Sequence, residues 1–169
     1  MFKRRFGHAF LATVVAIASL TGAPRAQETG LTGADKAADI VQARQLLMDA
    51  AEEHIMFIDA VSAGKDLALS DMKSRAYQLN ILLLAFPHLF PPQTTPAAGD
   101  RDGAFQTNAT DAVWKDFPAF YQAAQDFAAV ALDASQAKDI GAFRVYGAQL
   151  RAGCDSCHQA YMTPVEQPK

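Results

Sequence analysis

The sequence predicts an antiparallel four-helix bundle. Past the first ~26 residues, four stretches space their apolar residues alternately three and four apart, two of the three connections are only a few residues long, and little of the chain alternates like a strand. Such spacing averages close to the helical repeat, so each stretch offers one stripe for burial, and the same alternation favours shallow crossing angles. Four amphipathic helices of about 20 residues can cover one another's stripes, as no two of them could alone.

Ile40, Arg44, Leu47, Ala51, Ile55 and Ile58 share one face of the first stretch, and Leu69, Met72, Ala76, Leu79, Leu83 and Phe86 one face of the second. The third carries Val113, Phe117, Phe120, Ala124, Phe127 and Ala131, and the fourth Ile140, Phe143, Gly147, Leu150, Cys154, Cys157 and Tyr161. Ala63-Gly64-Lys65 and Ser135-Gln136-Ala137 are short connections, so the helices on either side should be antiparallel neighbours. Pro87 to Ala109, with Pro91, Pro92, Pro96, Gly99 and Gly103, cannot be helical throughout and is long enough to cross an end of the bundle. Thr110 is the expected cap of the third helix, with Asp111 favourable in its first turn. Pro118 should kink that helix or mark a restart capped by Asp116.

The start of the chain reads as an address rather than as fold. Lys3, Arg4 and Arg5 precede an apolar run from Ala9 to Leu20, then small residues and Pro24, then polar Gln27 and Glu28. That order is a secretory signal peptide over residues 1–26, cleaved near Ala26, and the run is short for a membrane span of roughly 20 residues. Residues 27–169 then form the bundle domain, exported to the periplasm. The leader holds four of the chain's 15 basic residues and none of its 18 acidic ones, which leaves 11 against 18 and a formal charge of −7. Such a surface repels nucleic acid and anionic membrane and suits a basic partner.

The chain's two cysteines are Cys154 and Cys157, and His158 follows at once. Cys-Asp-Ser-Cys-His is a haem attachment pattern. Positions i, i+3 and i+4 share one helix face, so two thiols can add to vinyl groups at one porphyrin edge while the imidazole is directed towards iron. Gly147 and Gly153 remove bulk on the preceding turns, where a macrocycle would approach. A disulfide across this spacing would strain a helix, a thiol redox site prefers a helix start, and a structural zinc site needs a further ligand. One covalent haem c, with His158 as an iron ligand, is therefore expected.

The second face of the iron decides between electron transfer and the binding of small molecules. Spacing leaves Met48, Met56, Met72, His54 and His88 as candidates. Met162, four residues after His158, belongs to that residue's own side. No pair of carboxylates and no nucleophile with a base suggests an enzyme.

These residues resemble the class II c-type cytochromes, the group containing cytochrome c-prime and cytochrome c-556. The likeness runs from about Ile40 to Tyr161 through Arg44-Gln45-Leu46-Leu47-Met48, Pro87 with Phe90-Pro91, Ala109, Val113-Trp114 and Phe120, and ends in Cys154-Asp155-Ser156-Cys157-His158-Gln159-Ala160-Tyr161. The resemblance implies that Met48 faces the distal side of the iron, that Arg44 reaches a haem propionate, and that a homodimer through the first two helices is open to the chain. A Met at this place implies a low-spin electron carrier. Binding of nitric oxide or carbon monoxide at a five-coordinate iron is the first alternative, and a haem-bearing docking subunit of a larger redox enzyme the second. The tail departs from the family: Met162-Thr163-Pro164 ends the helix early and lacks the basic residue common there.

Overall fold

The computed structural model describes residues 33–102 and 105–163; the predicted signal peptide and its cleavage point lie outside them. Helix α1 (Gly33–Ser62) runs up, α2 (Leu69–Ala85) down, α5 (Phe117–Ser135) up and α6 (Ile140–Tyr161) down. Between α2 and α5 lie two 3-10 turns, Phe86–Leu89 and Pro92–Thr94, and two short helices, α3 (Pro96–Asp102) and α4 (Ala112–Lys115). The chain is thus the predicted four-helix bundle, with α1 longer than its first apolar stripe suggested: Ala37 and Val41, ahead of Arg44, are buried as well.

Local chemistry sets the ends. Gly64 at φ 91° follows α1, and Lys65 N–H and Gly64 N–H donate to the carbonyls of Ala60 and Val61, closing the helix with a left-handed glycine. Asp139 caps α6 by accepting from Ala142 N–H at 2.8 Å. The third helix restarts as its sequence suggested: α4 stops, and Asp116 caps α5 by accepting from Ala119 N–H at 3.1 Å, with Pro118 in the first turn. Thr110 does not cap α4. Its N–H donates to Tyr161 O, its hydroxyl is buried without a partner, and the cap position falls to Asp111, which has helical dihedrals.

The two ends of the bundle differ. Around the short turns, Ile55, Ile58 and Val61 of α1 close with Met72 and Ala76 of α2, Ala131 and Ala134 of α5, and Phe143 of α6. At the other end, Phe90, Val113 and Phe120 form a separate aromatic cluster with Phe86, Trp114, Phe117 and Tyr161. The connection from α2 takes the long way round this end. It touches α1 through Thr94 and Thr107, then α6 through Asn108, Ala109 and Thr110, before it enters α5. It forms a collar.

The two small residues of α6 act differently from the expectation. A Cβ on Gly147 would meet Ser62 Oγ at 2.8 Å and Ile58 Cγ2 at 2.9 Å; one on Gly153 would meet the Phe127 ring at 2.5 Å. They admit α1 and an α5 side chain against α6, so their role is helix packing rather than room for a macrocycle.

Candidate haem site

Within the aromatic end lies a cavity of about 370 Å³. Met48, Ala51 and Ile55 of α1, Leu79 and Leu83 of α2, and Ala124 and Phe127 of α5 supply much of its wall. Cys154, Cys157, His158 and Tyr161 of α6 face it, and the collar adds Phe90, Thr107, Asn108 and Ala109. The intermediate exposure of Leu83, Phe86, Phe127, Cys154 and Cys157 follows from this: they continue the buried stripes but border a space instead of a neighbour. The helical stripes therefore predicted core and cavity together, without distinguishing them.

The final turns of α6 hold the cysteines at i and i+3 with His158 adjacent. The end of that helix is fixed by the collar, because Thr110 N–H donates to Tyr161 O at 2.9 Å and Thr163 N–H to Asn108 O at 2.7 Å. Both thiols are free and half-buried. Burial pushes the Cys157 thiol up to about 11, with a further push from Cys154. Burial also raises Cys154, against the pull of Arg151. Redox dithiols and zinc thiolates need the opposite shift. Thioethers are neutral, so the same burial opposes no charge once the sulfurs are bonded to carbon. A chiefly apolar space with two such sulfurs and an imidazole on one helix face fits a covalently held haem.

The candidates for the second face separate cleanly. Met48 borders the cavity and packs on the main core. Met72 is 2 % exposed in the closed end, and Met56 is 59 % exposed. His88 is exposed with its ring against Tyr121. His54 lies outside the cavity lining, its pKa lowered by burial and by Arg75 against the opposing effect of Glu53. Met162 borders the cavity too, at the extended residue that ends α6.

Arg44, one turn before Met48, is 4 % exposed. Nη1 donates to Thr94 Oγ1 at 3.1 Å and to Leu89 O at 3.5 Å; Nη2 donates to Thr107 Oγ1 at 2.6 Å and to Thr94 O at 3.3 Å. The guanidinium lies 4.5 Å from the Phe90 ring centre and 5.7 Å from that of Trp114. Its hydrogen-bond partners are all neutral, and burial pushes its pKa down to about 10. Thr94 and Thr107 were not singled out from the sequence. The available signal was Arg44 itself, since a charge in an apolar stripe must meet acceptors or anions.

A charged rim lies beside the cysteines. Asp49 and Glu52 border the cavity, and Arg151 bonds Asp59 and approaches Glu52 at 3.8 Å and Asp155 at 3.9 Å.

Residues 39–162 match the family model described as cytochrome C′. Cytochrome c′ of Rhodospirillum rubrum is 30% identical over 152 residues, covering 88% of this chain and 94% of that relative. The fold is similar to that of cytochrome c′ from Rubrivivax gelatinosus, with a TM-score of 0.64 at 22% identity over 75% of this chain and 96% of that one. It is also similar to a ferrous variant of cytochrome c prime from Alcaligenes xylosoxidans, with a TM-score of 0.65 at 22% identity over 80% of this chain and all of that one.

Proposed function

The chain belongs to the cytochrome c′ family of class II c-type cytochromes, whose members carry one covalently attached haem c, and on that premise we propose that it is a periplasmic electron carrier with haem iron held between His158 and Met48. In this reading Cys154 and Cys157 hold the haem through thioethers. Bound haem supplies a one-electron iron couple. The protein's part would be to hold the His158 imidazole and the Met48 sulfur on rigid helices and to keep the surroundings apolar, where a soft sulfur would favour the reduced metal. The observation that carries the reading is that Met48 of α1 borders the same cavity as both cysteines and His158 of α6. The uncompensated charge of Arg44 at that cavity supports its contact with a haem propionate.

Family members are periplasmic, which accords with a leader over residues 1–26, and among the described residues no helix is long and apolar enough to cross a membrane. The acidic balance of residues 27–169 suits a basic redox partner. A homodimer is supported by the apolar residues left exposed on α1 and α2, namely Leu46, Met56, Tyr77, Ile81 and Leu84. Sedimentation of Ile81→Glu should give a monomer where the parent gives a dimer; a parent that sediments as a monomer sinks the pairing.

A second reading, binding of nitric oxide or carbon monoxide at a five-coordinate iron, is favoured by the family and by a relative, a cytochrome c prime variant from Alcaligenes xylosoxidans described as a nitric oxide complex. Optical spectra of ferric and ferrous protein, with and without carbon monoxide, separate the two. The carrier reading expects a low-spin parent that Met48→Leu converts to high spin. A high-spin parent, or a variant that stays low-spin, assigns the function to gas binding or the ligand to another residue.

A further inference from the structure

Arg44 is oddly placed for a residue whose sole task is to hold a cofactor. It sits on the buried stripe of α1, and its four hydrogen bonds reach three points of the collar, Leu89, Thr94 and Thr107, which are 45, 50 and 63 residues away in sequence. Thr94 is fully buried, and its hydroxyl, while accepting from Arg44, donates to Pro91 O at 2.8 Å. Trp114 Nε1 donates to Phe90 O at 3.0 Å, so the ring beneath the guanidinium is also fixed at its backbone. One side chain thus holds the departing limb of the collar (Leu89, Thr94) and its returning limb (Thr107) together against α1. The returning limb goes on through Asn108 and Ala109 along the cavity wall. Hydrogen bonds from a charged donor are about twice as strong as neutral ones, and their loss leaves buried acceptors unpaired.

We infer that Arg44 is a positioning residue that pins the collar to α1, and that this pin sets how readily small ligands reach the cavity beside Met48. The inference rests on the cavity holding haem, but not on Met48 being an iron ligand. It differs from a propionate contact, because it is exercised through Thr94, which does not border the cavity.

The test uses haem-bearing protein with Thr94→Val, Thr94→Ser and Arg44→Gln, each also made in a Met48→Ala background. Two quantities are read: hydrogen exchange at the amides of Thr94 and Gly99, which bond within the collar to Pro91 O and Thr95 O, and the association rate of carbon monoxide with ferrous protein. Thr94→Val should raise exchange at both amides about tenfold or more and speed carbon monoxide association in the Met48→Ala background. Thr94→Ser, which keeps the oxygen, should behave as the parent. Arg44→Gln should exceed Thr94→Val in both readouts, and if it fails to fold Thr94→Val carries the test. Unchanged exchange in Thr94→Val overturns the pin. Faster exchange with an unchanged association rate reduces it to a purely structural bond and overturns the inference equally. A parent that proves five-coordinate removes Met48 from the iron, and Thr94→Val against that parent then tests the pin directly.

Discussion

The closed end of the bundle and the collared end are built from the same four helices by different rules. In the closed end, small and branched residues such as Ala131, Ala134, Ile58 and Val61 bring backbones together, and Gly147 lies so near α1 that a Cβ would collide. In the collared end, large rings replace them: Phe86, Phe90 and Phe120 stack edge to face or tilted at centroid distances of 4.8 to 6.2 Å. Large rings around a gap hold helices apart; small residues without one let them close. The comparison teaches that the cavity is kept open by residue size and by a segment wrapped around it, while the fold is secured at the other end.

The largest effect expected from breaking this division concerns the cofactor. Replacing Cys154 and Cys157 together by Ala should abolish covalent haem, leaving an exported chain whose intact mass is that of the polypeptide. Because Cys154 only packs against the edge of the main core and Cys157 is not part of it, circular dichroism should still report a helical bundle. Loss of helix along with the haem would show that the closed end cannot secure the fold alone.

Next comes packing. Phe143 is fully buried in the closed end, and Phe143→Ala should cost about 3–5 kcal/mol. Phe86 borders the cavity and is half-buried, so Phe86→Ala in haem-free chain should cost about 1–2 kcal/mol, since part of its surface already lacks neighbours. Denaturant titrations check both values. With haem bound the cost at Phe86 should rise while that at Phe143 stays put, and equal costs in the haem-free chain would erase the contrast.

What could be read from sequence follows the same line. The stripes on α2, α5 and α6 and the restart at Asp116 are local patterns, and each has the place predicted for it; the Cys154-Cys157-His158 spacing is as local, and it lies on α6 beside the cavity. The contacts of Arg44 were not legible, because helical periodicity places a side chain on a face without naming a partner 50 residues away. The close approaches at Gly147 and Gly153 were misread for a related reason. A missing side chain marks a close neighbour, and only the assembled bundle identifies that neighbour as Ile58 or Phe127 rather than a macrocycle. Thr110 shows local preference yielding to tertiary demand: its backbone bonds Tyr161 across the open end, and its capping role is lost.

A smaller effect, of about two pH units, tests the cavity's polarity. In haem-free chain the Cys157 pKa is raised from 9.0 to about 11 by burial, then by Cys154. A raised pKa means the folded state holds the proton more tightly, so this contribution to stability is complete below pH 9 and is lost as pH climbs through 11. Alkylation needs thiolate; its rate at Cys157 should therefore rise near pH 11 in folded chain and near pH 9 in urea-unfolded chain. Coincident profiles would mean that the sulfur is solvated and the cavity wall is not apolar there.

The smallest expected effect is the sharpest on the difference between the ends, because one chemical change can be made in both. Asp139 caps α6 at the closed end and Asp116 caps α5 at the collared end, each through one carboxylate oxygen and one backbone N–H. Replacing either by Ala removes a cap worth about 1 kcal/mol. Four residues after Asp139 comes Phe143, anchored in the main core, so fraying there must disturb the cooperative unit, and Asp139→Ala should lower global stability by nearly the full amount. The first turn of α5 rests on rings that border the cavity, and it can open while the closed end stays shut. Asp116→Ala should then show most of its cost as faster hydrogen exchange at the amide of Phe120, which bonds Asp116 O, and less than half of it in the denaturation midpoint. If both variants shift the midpoint equally, with no added local exchange at Phe120, the two ends unfold as one body, and the collared end has no independent mobility for the Arg44 pin to restrain.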